Sequence, residues 1–490
     1  MSRINSNVPS IVAQRHLGRS QQSLRQALER LSSGLQINRG ADNPAGLIVS
    51  ERLRAEISAQ NQAVRNSQRA INVIATTEGA LNEVAALLTD IKALVIESAN
   101  KGAFSDEEIE ANQLQIDNTI DSITRIANTT QFAGRKLLNG ELDYVTSGVT
   151  STQLADVSVQ GAKFGSNAFI PVTVNVALSA QQAQLHFAPA TIGGTAVTVN
   201  LQGSEGVVTL TFPANFTRNQ IASAINAQTD STGVTATLLG TGGASGVAIR
   251  SLDYGSRAFV SVTELNGTSG LFPVTDRANL QDSRTEGRDA TATINGISTT
   301  ADGLEIAVSD PILKLQLTLS TAYGGGSIGV TGSTGVPNST FAITGGGALF
   351  QLGPQVNTNQ QENIGVRNIQ ANLLGNAIVG YLSDLKAGQN KALSTDRFKQ
   401  ASDVVDEAIT QVSVLRGRLG AFERNTLQTN INQLQITSEN LTASQSVIRD
   451  TDFAVETSEL TRAQILVQAG NSVLAIANAQ SQSVLSLLGG

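Results

Sequence analysis

The sequence predicts an α+β multidomain rod, with long coiled-coil-like helices from both termini and a β-rich central insertion. Three observations predict it. Apolar residues recur at alternating steps of 3 and 4 over both ends of the chain. Period two replaces that rhythm in the middle, and one sharp Gly/Pro break interrupts helical spacing near the start. Steps of 3 and 4 mark the seam of a coiled coil or helical bundle, whereas alternation marks strands with one buried face.

The first helix is expected over about residues 9–33; Leu24, Leu28 and Leu31 share one of its faces, and Leu35 continues their 4-3-4 spacing just beyond it. It stops in "LSSGLQINRGADNPAGLIVSERLRAEI", Leu31 to Ile57. Pro44 lacks an N–H, and its fixed φ suits the first turn of a new helix. The residue before a proline avoids helical geometry, which makes Asn43 a natural N-cap, and Asp42 adds charge at the positive helix end. Gly34 and Gly40 are expected to let the chain turn between the two helices. From Pro44 to about Ser98 the second helix spans roughly 80 Å at 1.5 Å per residue. Its rhythm runs through Leu53, Ile57, Gln60, Val64, Ser67, Ile71 and Ile74, then Leu81, Val84, Leu88, Ile91 and Val95. A third helix carries Ile109, Gln113, Ile116, Ile120 and Ile123, with Ser105 and Glu108 placed to form a capping box.

Between Asp143 and Gly347 the period changes. Val172, Val174 and Val176 alternate, as do Val197, Val199 and Leu201, and then Leu313, Leu315, Leu317 and Leu319. Gly-Gly and Asn-Gly pairs punctuate these runs, and Gly324–Gly335 reads as a loop. Helical spacing resumes towards the C-terminus with Val405, Ile409 and Val412, then Leu427, Ile431 and Leu434. The last segment offers Leu466, Ala469, Val473 and Ile476. These stripes are thin, and a thin stripe on an isolated helix buries too little to offset the ordering of the chain. Residues 1 to about 42 and about 452 to the end are therefore expected to be disordered in a lone subunit and to order among copies of it.

Composition narrows the function. The chain has 490 residues, net charge −7, no Cys, no Trp and 4% aromatics. Without Cys there are no disulfides, no thiolate catalysis and no Cys-ligated zinc. The acidic balance and the absence of any aromatic before Phe104 argue against a nucleic-acid partner. No apolar run reaches the roughly 18 residues of a membrane span. The two histidines, His16 and His186, lie outside any H-E-x-x-H pattern, and no glycine-rich stretch carries the phosphate-loop signature. No catalytic, cofactor or metal site is expected, and the chain is read as a non-enzyme.

The break segment resembles the N-terminal signature of bacterial flagellin. "EGALNEVAALLTDIKALVIESAN" and "NTTQFAGRKLLNG" extend the likeness. "FAVETSELTRAQILVQAGNSVLAIANAQSQSVLSLL" carries it at the other end. The resemblance covers about Ser2–Gly140 and Leu349–Leu488. It implies a structural subunit that polymerises into the flagellar filament for swimming motility. The alternative is the hook–filament junction (hook-associated) protein of the same axial structure. It implies a terminal coiled-coil domain of residues 1–42 with 452–490 as filament inner core. A helical-bundle domain with a β-hairpin, 43–142 with 348–451, would form the outer tube. A surface-exposed variable region, 143–347, would contain a flagellin/hook-type β-module near 197–263.

On that layout Leu24, Leu28, Leu31, Leu35, Leu466, Ala469, Val473 and Ile476 become the filament core interface, and Gly34, Gly40, Asn43 and Pro44 the inter-domain connector. Leu53, Ile57, Val64, Ile71, Leu81, Leu88, Leu427, Ile431 and Leu434 become outer-tube packing. The partners implied are many copies of the chain itself, an export chaperone, a filament cap and hook-associated proteins, reached by type III export to a secreted, extracellular filament. The resemblance also bears on immune detection. Flagellins sensed by the innate-immune flagellin receptor carry Arg and Glu where this chain has Asp90 and Gln115, while Leu94 keeps the pattern, so weak or no detection is expected.

Overall fold

The computed structural model describes residues 7–165, 167–239, 246–265, 270–276, 280–324, 338–395 and 397–488. Apart from Gly324, the loop expected over Gly324–Gly335 lies outside them. The fold is α+β, with long helices at both chain ends and strands in the centre. The main helices are α1 (Val8–Ser33), α2 (Pro44–Ser98), α3 (Asp106–Thr129), α4 (Arg218–Asn226), α5 (Phe398–Phe422), α6 (Thr429–Arg449) and α7 (Phe453–Leu488). None is long and apolar enough to cross a membrane among the described residues.

Their ends follow from local chemistry. The Asn7 side chain accepts the Ser10 N–H at 3.1 Å, with Pro9 in the first turn of α1. Gly34 closes α1 at φ 72°, in the left-handed region that suits glycine, and donates its N–H to Arg30 O. Asn43 caps α2 as expected, accepting the Gly46 N–H at 2.9 Å. Ser105 and Glu108 form the expected capping box on α3. A π-helical stretch, Glu423–Gln428, links α5 to α6.

The chain divides into two compact units. One contains Met1–Gln68, Gln351–Val356 and Leu427–Gly490, and so gathers both chain ends. The other contains Arg69–Phe350 and Asn357–Thr426. In this larger unit Leu81, Val84, Leu88, Ile91 and Val95 of α2 are buried, with Ile109, Gln113, Ile116, Ile120 and Ile123 of α3. Gln113 is the polar member of this seam. Its amide donates to Leu385 O and accepts the Leu393 N–H, both at 2.8 Å, and so pins the 382–395 segment to α3.

Apart from two short pairs, Gln131–Phe132 with Arg135–Lys136 and Gly375–Asn376 with Gly380–Tyr381, the strands lying wholly in this unit build chiefly two modules. The carrier module has a five-stranded sheet in the order Ile297–Ser298, Thr291–Ile294, Ile170–Leu178, Ser339–Gly346, Tyr144–Ser147. Its four-stranded partner runs Thr300–Asp302, Glu305–Ser309, Leu313–Leu319, Leu154–Ala162. The predicted alternation supplies the core between them: Val172, Val174 and Val176 with Leu313, Leu315, Leu317 and Leu319 are all buried there.

The second module is inserted within the first. Its sheets are Val274–Thr275, Gln182–Phe187, Gly246–Tyr254, Val234–Leu239 and Arg284–Glu286, Phe259–Glu264, Val197–Gln202, Val207–Phe212. Helix α4, held by a Thr217–Gln220 capping box, buries Ile221 and Ile225 in the same core. Phe272 stacks on Phe187 at 4.3 Å and on Phe212 at 5.5 Å between ring centroids. The nested module thus runs from Gln182 to Glu286, wider than the 197–263 stretch legible in the sequence, because both flanking strands complete its sheets.

Candidate self-assembly surface

Helices α1 and α7 pair along a seam with a regular rhythm of 3 and 4. On α1 it uses Ser10, Ala13, Leu17, Ser20, Leu24, Ala27 and Leu31, and on α7 Glu456, Leu460, Ala463, Val467, Gly470, Leu474 and Ala477. Ala13, Ala27, Ala463 and Ala477 are its buried apolar members. A Cβ added at Gly470 would lie 3.2 Å from Leu17 Cδ1, so glycine admits the leucine there. Polar contacts close both ends. Ser10 Oγ donates to Asn478 Oδ1 at 2.8 Å and Asn7 Nδ2 to Ala477 O at 3.0 Å. At the other end Arg30 pairs with the buried Glu456 at 3.6 Å.

The larger aliphatic side chains face elsewhere. Leu28 is 50% exposed, Leu466 49%, Val473 54% and Ile476 67%. Ala469 is exposed as well, while Leu24, Leu31 and Leu35 are half-buried. Ile11, Val12, Val455 and Ile465 widen the exposed apolar surface of this hairpin. The sequence reading chose the stripe of large residues as the helix seam of the last segment. The chain instead seals itself with the small residues beside that stripe and leaves the stripe open. It also differs from the expectation of disordered ends: Val8–Ser33 and Phe453–Leu488 are helical, and the two helices pair from Ser10 with Asn478 to Arg30 with Glu456. Residues 1–6 and 489–490 of that expectation lie outside the described residues. Small seam residues permit close pairing without drawing in the large ones. Full burial of such a side chain is worth about 1.5–3 kcal/mol, and these, about half exposed, forgo roughly half of it. Several large apolar side chains left exposed on one helix pair are the kind of surface that serves interaction.

The connector folds back on itself. Asp42 accepts the N–H of Arg39 at 2.9 Å and of Asn38 at 3.1 Å, and the Arg39 bond foremost holds its carboxyl below the ordinary range. Arg39 also pairs with Glu29. Gly40 does not take the left-handed backbone expected of a turn glycine. Gly34 does take it, and Gly46, in the first turn of α2, is closely packed as well. A Cβ there would lie 2.7 Å from Ile37 Cδ1 and 2.8 Å from Asn43 Nδ2. The break before α7 lies alongside this connector: Gln36 N–H donates to Arg449 O at 2.7 Å and Thr451 N–H to Gly34 O at 2.9 Å. Asp452 then caps α7, accepting the Ala454 N–H at 2.9 Å.

In the same unit, α2 and α6 are tied by polar bonds. Arg449 pairs with Glu51 at 2.8 Å, and Asn430 Nδ2 donates to Ser67 Oγ at 3.1 Å and Leu352 O at 2.8 Å. Leu427, Ile431 and Leu434 are buried. Leu53, Ile57 and Val64 are only half-buried, whereas Ser50, Gln60, Ala63 and Ser67 are buried. In the larger unit Ile71 is half-buried beside a buried Ala70, and Leu81 and Leu88 are fully buried. There Asp90 and Gln115 are exposed and Leu94 is buried. Among the described residues no group of His, Cys, Asp and Glu could hold a metal. His16 is exposed on α1, and burial, then Arg218, pushes the pKa of His186 down.

Known proteins share this organisation. Residues 4–143 match the family model of the bacterial flagellin N-terminal helical region. Residues 402–488 match the bacterial flagellin C-terminal helical region, and 196–251 the flagellin hook IN motif. The flagellin of Salmonella typhimurium is 31% identical, with 99% of each chain covered. The B-type flagellin of Pseudomonas aeruginosa is 32% identical over the same shares. A solved FliC structure from Burkholderia pseudomallei aligns only loosely, at TM-score 0.23 and 17% identity over 74% of this chain and 99% of that one.

Proposed function

We propose, from the premise that this chain belongs to the bacterial flagellin family, how its two ends turn a single subunit into a polymer. The chain is a structural subunit of the extracellular flagellar filament that drives swimming. The observation that carries the mechanism is the open stripe of Leu28, Leu466, Val473 and Ile476 beside a seam already sealed by alanines. The hairpin spends its small residues on itself and keeps its large ones for neighbours. Unlike surfaces that meet without closing a ring generate an open helical filament.

On this reading residues 1–42 with 452–490 form the inner core, and 43–142 with 348–451 the outer tube. The paired breaks at Gly34–Asn43 and Asp450–Asp452 support a boundary there. The variable, surface-facing part is 143–347. Leu24, Leu28, Leu31, Leu35, Leu466, Ala469, Val473 and Ile476 supply the core interface. Leu53, Ile57, Val64 and Ile71, half-buried in the subunit, gain cover in the outer tube, with Leu81, Leu88, Leu427, Ile431 and Leu434 as its internal packing. Partners other than copies of itself are an export chaperone, a filament cap and hook-associated proteins, and the role is non-catalytic. Asp90 and Gln115, both exposed, replace the Arg and Glu of detected flagellins, which favours weak immune detection.

Electron microscopy of polymer grown from purified subunit tests this. The full chain is expected to give filaments, and chains lacking residues 1–33 or 453–490 none. Normal filaments from either truncated chain would overturn the proposal. Sheared cell filaments are expected to consist mainly of this chain, and trace amounts at one end would instead favour the junction protein.

A further inference from the structure

The neck between the two β modules holds a carboxylate that neither module core uses. The nested module joins its carrier through two strands bridged at Gln181 and Arg288. Gln181 N–H donates to Arg288 O at 2.7 Å, and Arg288 N–H to Gln181 O at 2.9 Å. A two-strand neck by itself is a place for hinge motion. Asp289 follows it directly. Its Oδ1 accepts the backbone N–H of Ser256 at 2.9 Å and of Gly303 at 2.8 Å, and its Oδ2 accepts the Ser256 hydroxyl at 2.6 Å. Ser256 lies on the turn after the nested strand Gly246–Tyr254. Gly303 lies on the carrier turn between Thr300–Asp302 and Glu305–Ser309. One carboxylate therefore grips a turn from each module.

Glycines bring those turns together. A Cβ on Gly255 would lie 2.7 Å from Gly303 Cα, and one on Gly303 would lie 2.6 Å from Tyr254 O. A Cβ on Gly287 would lie 2.3 Å from Gly255 O and 2.5 Å from Gln181 O. Backbone rests on backbone, so the joint has little slack once the carboxylate holds it. A second cross-link, Arg257 to Asp302 at 2.7 Å, is largely exposed, and such pairs contribute about 0–1 kcal/mol. Hydrogen bonds to a charged acceptor are roughly twice as strong as neutral ones, and Asp289 accepts three. Burial pushes the Asp289 carboxyl up, but the bonds from Ser256 and Gly303 with nearby Arg257 outweigh it and hold the group below its ordinary value.

We propose that Asp289 is a positioning residue that locks the nested module onto its carrier, so that the two move as one body, and that without its carboxylate the neck becomes a hinge. The chain has no Cys, so a V207C/S298C pair can be spin-labelled at one exposed site on each module. In the full-length subunit, pulsed distance measurement is expected to give one narrow distribution. D289A is expected to lose it for a broad one, while R257A keeps it. If D289A does not fold, judged by its melting curve, D289S replaces it, whose shorter side chain cannot bridge both turns, and is expected to broaden the distribution as well. A D289A distribution as narrow as that of R257A, or of D289S where D289A is unfolded, would sink the proposal. The joint contributes no residue to the assembly stripe, so D289A is expected still to form filaments.

Discussion

At Gly46 a single methyl group decides whether α2 can start where it does. The buried Ile37 side chain and the Asn43 cap both occupy the space a Cβ needs. Overpacking of this kind costs about 1–3 kcal/mol. G46A is expected to lower the melting temperature of the purified subunit, whereas G40A, whose Cβ would meet only Leu47 Cδ2 at an ordinary 3.7 Å, is expected to leave it unchanged. Tyr144 makes a second prediction at this scale. Burial pushes its phenol up from 10.0 to about 12, against the pull of the Ala162 N–H that it accepts. A raised folded pKa favours the protonated form, so its stabilising contribution is complete below pH 10 and is lost as the pH rises from 10.0 to about 12. Alkaline titration followed by tyrosinate absorbance and circular dichroism is expected to show Tyr144 ionising together with loss of the carrier module, and Y144F without that late step.

Among the elements, the helices were legible because their caps are written in local chemistry: Asn43 before Pro44, Ser105 three residues before Glu108. The strands Ile170–Leu178 and Leu313–Leu319 were legible because each has one buried face, as Val172, Val174 and Val176 show. The seams from Leu81 to Val95 and from Ile109 to Ile123 are buried as the spacing predicts, whereas that in the first part of α2 is buried only in part and that in α7 is not. A sequence reading ranks side chains by apolar size, and so preferred Val64 and Ile71 to Ala63 and Ala70, and Leu466 and Val473 to Ala463 and Gly470. Close helix pairing selects small residues instead, and the register shifts by one position or by three. The large residues expected in the last helix's seam therefore lie open in the subunit. The nested module was under-drawn for another reason: Gln182–Phe187 and Arg284–Glu286 carry too little alternation to be assigned to a partner sheet without their neighbours. This difference between seam and stripe can be tested. A463L is expected to destabilise the α1–α7 pair by about 1–3 kcal/mol through overpacking. I476S and L466S are expected to change subunit stability by no more than about 0.5 kcal/mol, as exposed positions do. They are nonetheless expected to raise the critical concentration for polymerisation, measured by sedimentation. An unchanged critical concentration in both would remove the stripe from the interface.

For the molecule as a whole, charge sets the conditions of assembly. Each subunit carries −7, and a polymer brings many such charges together. Repulsion between exposed charges reaches about 30 Å at 0.01 M salt and about 8 Å at 0.15 M. The critical concentration is thus expected to fall as salt is added over that range, and a critical concentration that rises with salt would mean that ion pairs, and not apolar burial, drive the contact. The two-strand neck has a consequence for engineering as well as for rigidity. Gln181 and Arg288 already exchange hydrogen bonds, so the interval between them is a socket whose two leads emerge side by side. A foreign domain with neighbouring termini is expected to be accepted there, provided it replaces Tyr254, which packs against the carrier core. The nested module is in that sense a cartridge: exchangeable payload on an unchanged mount.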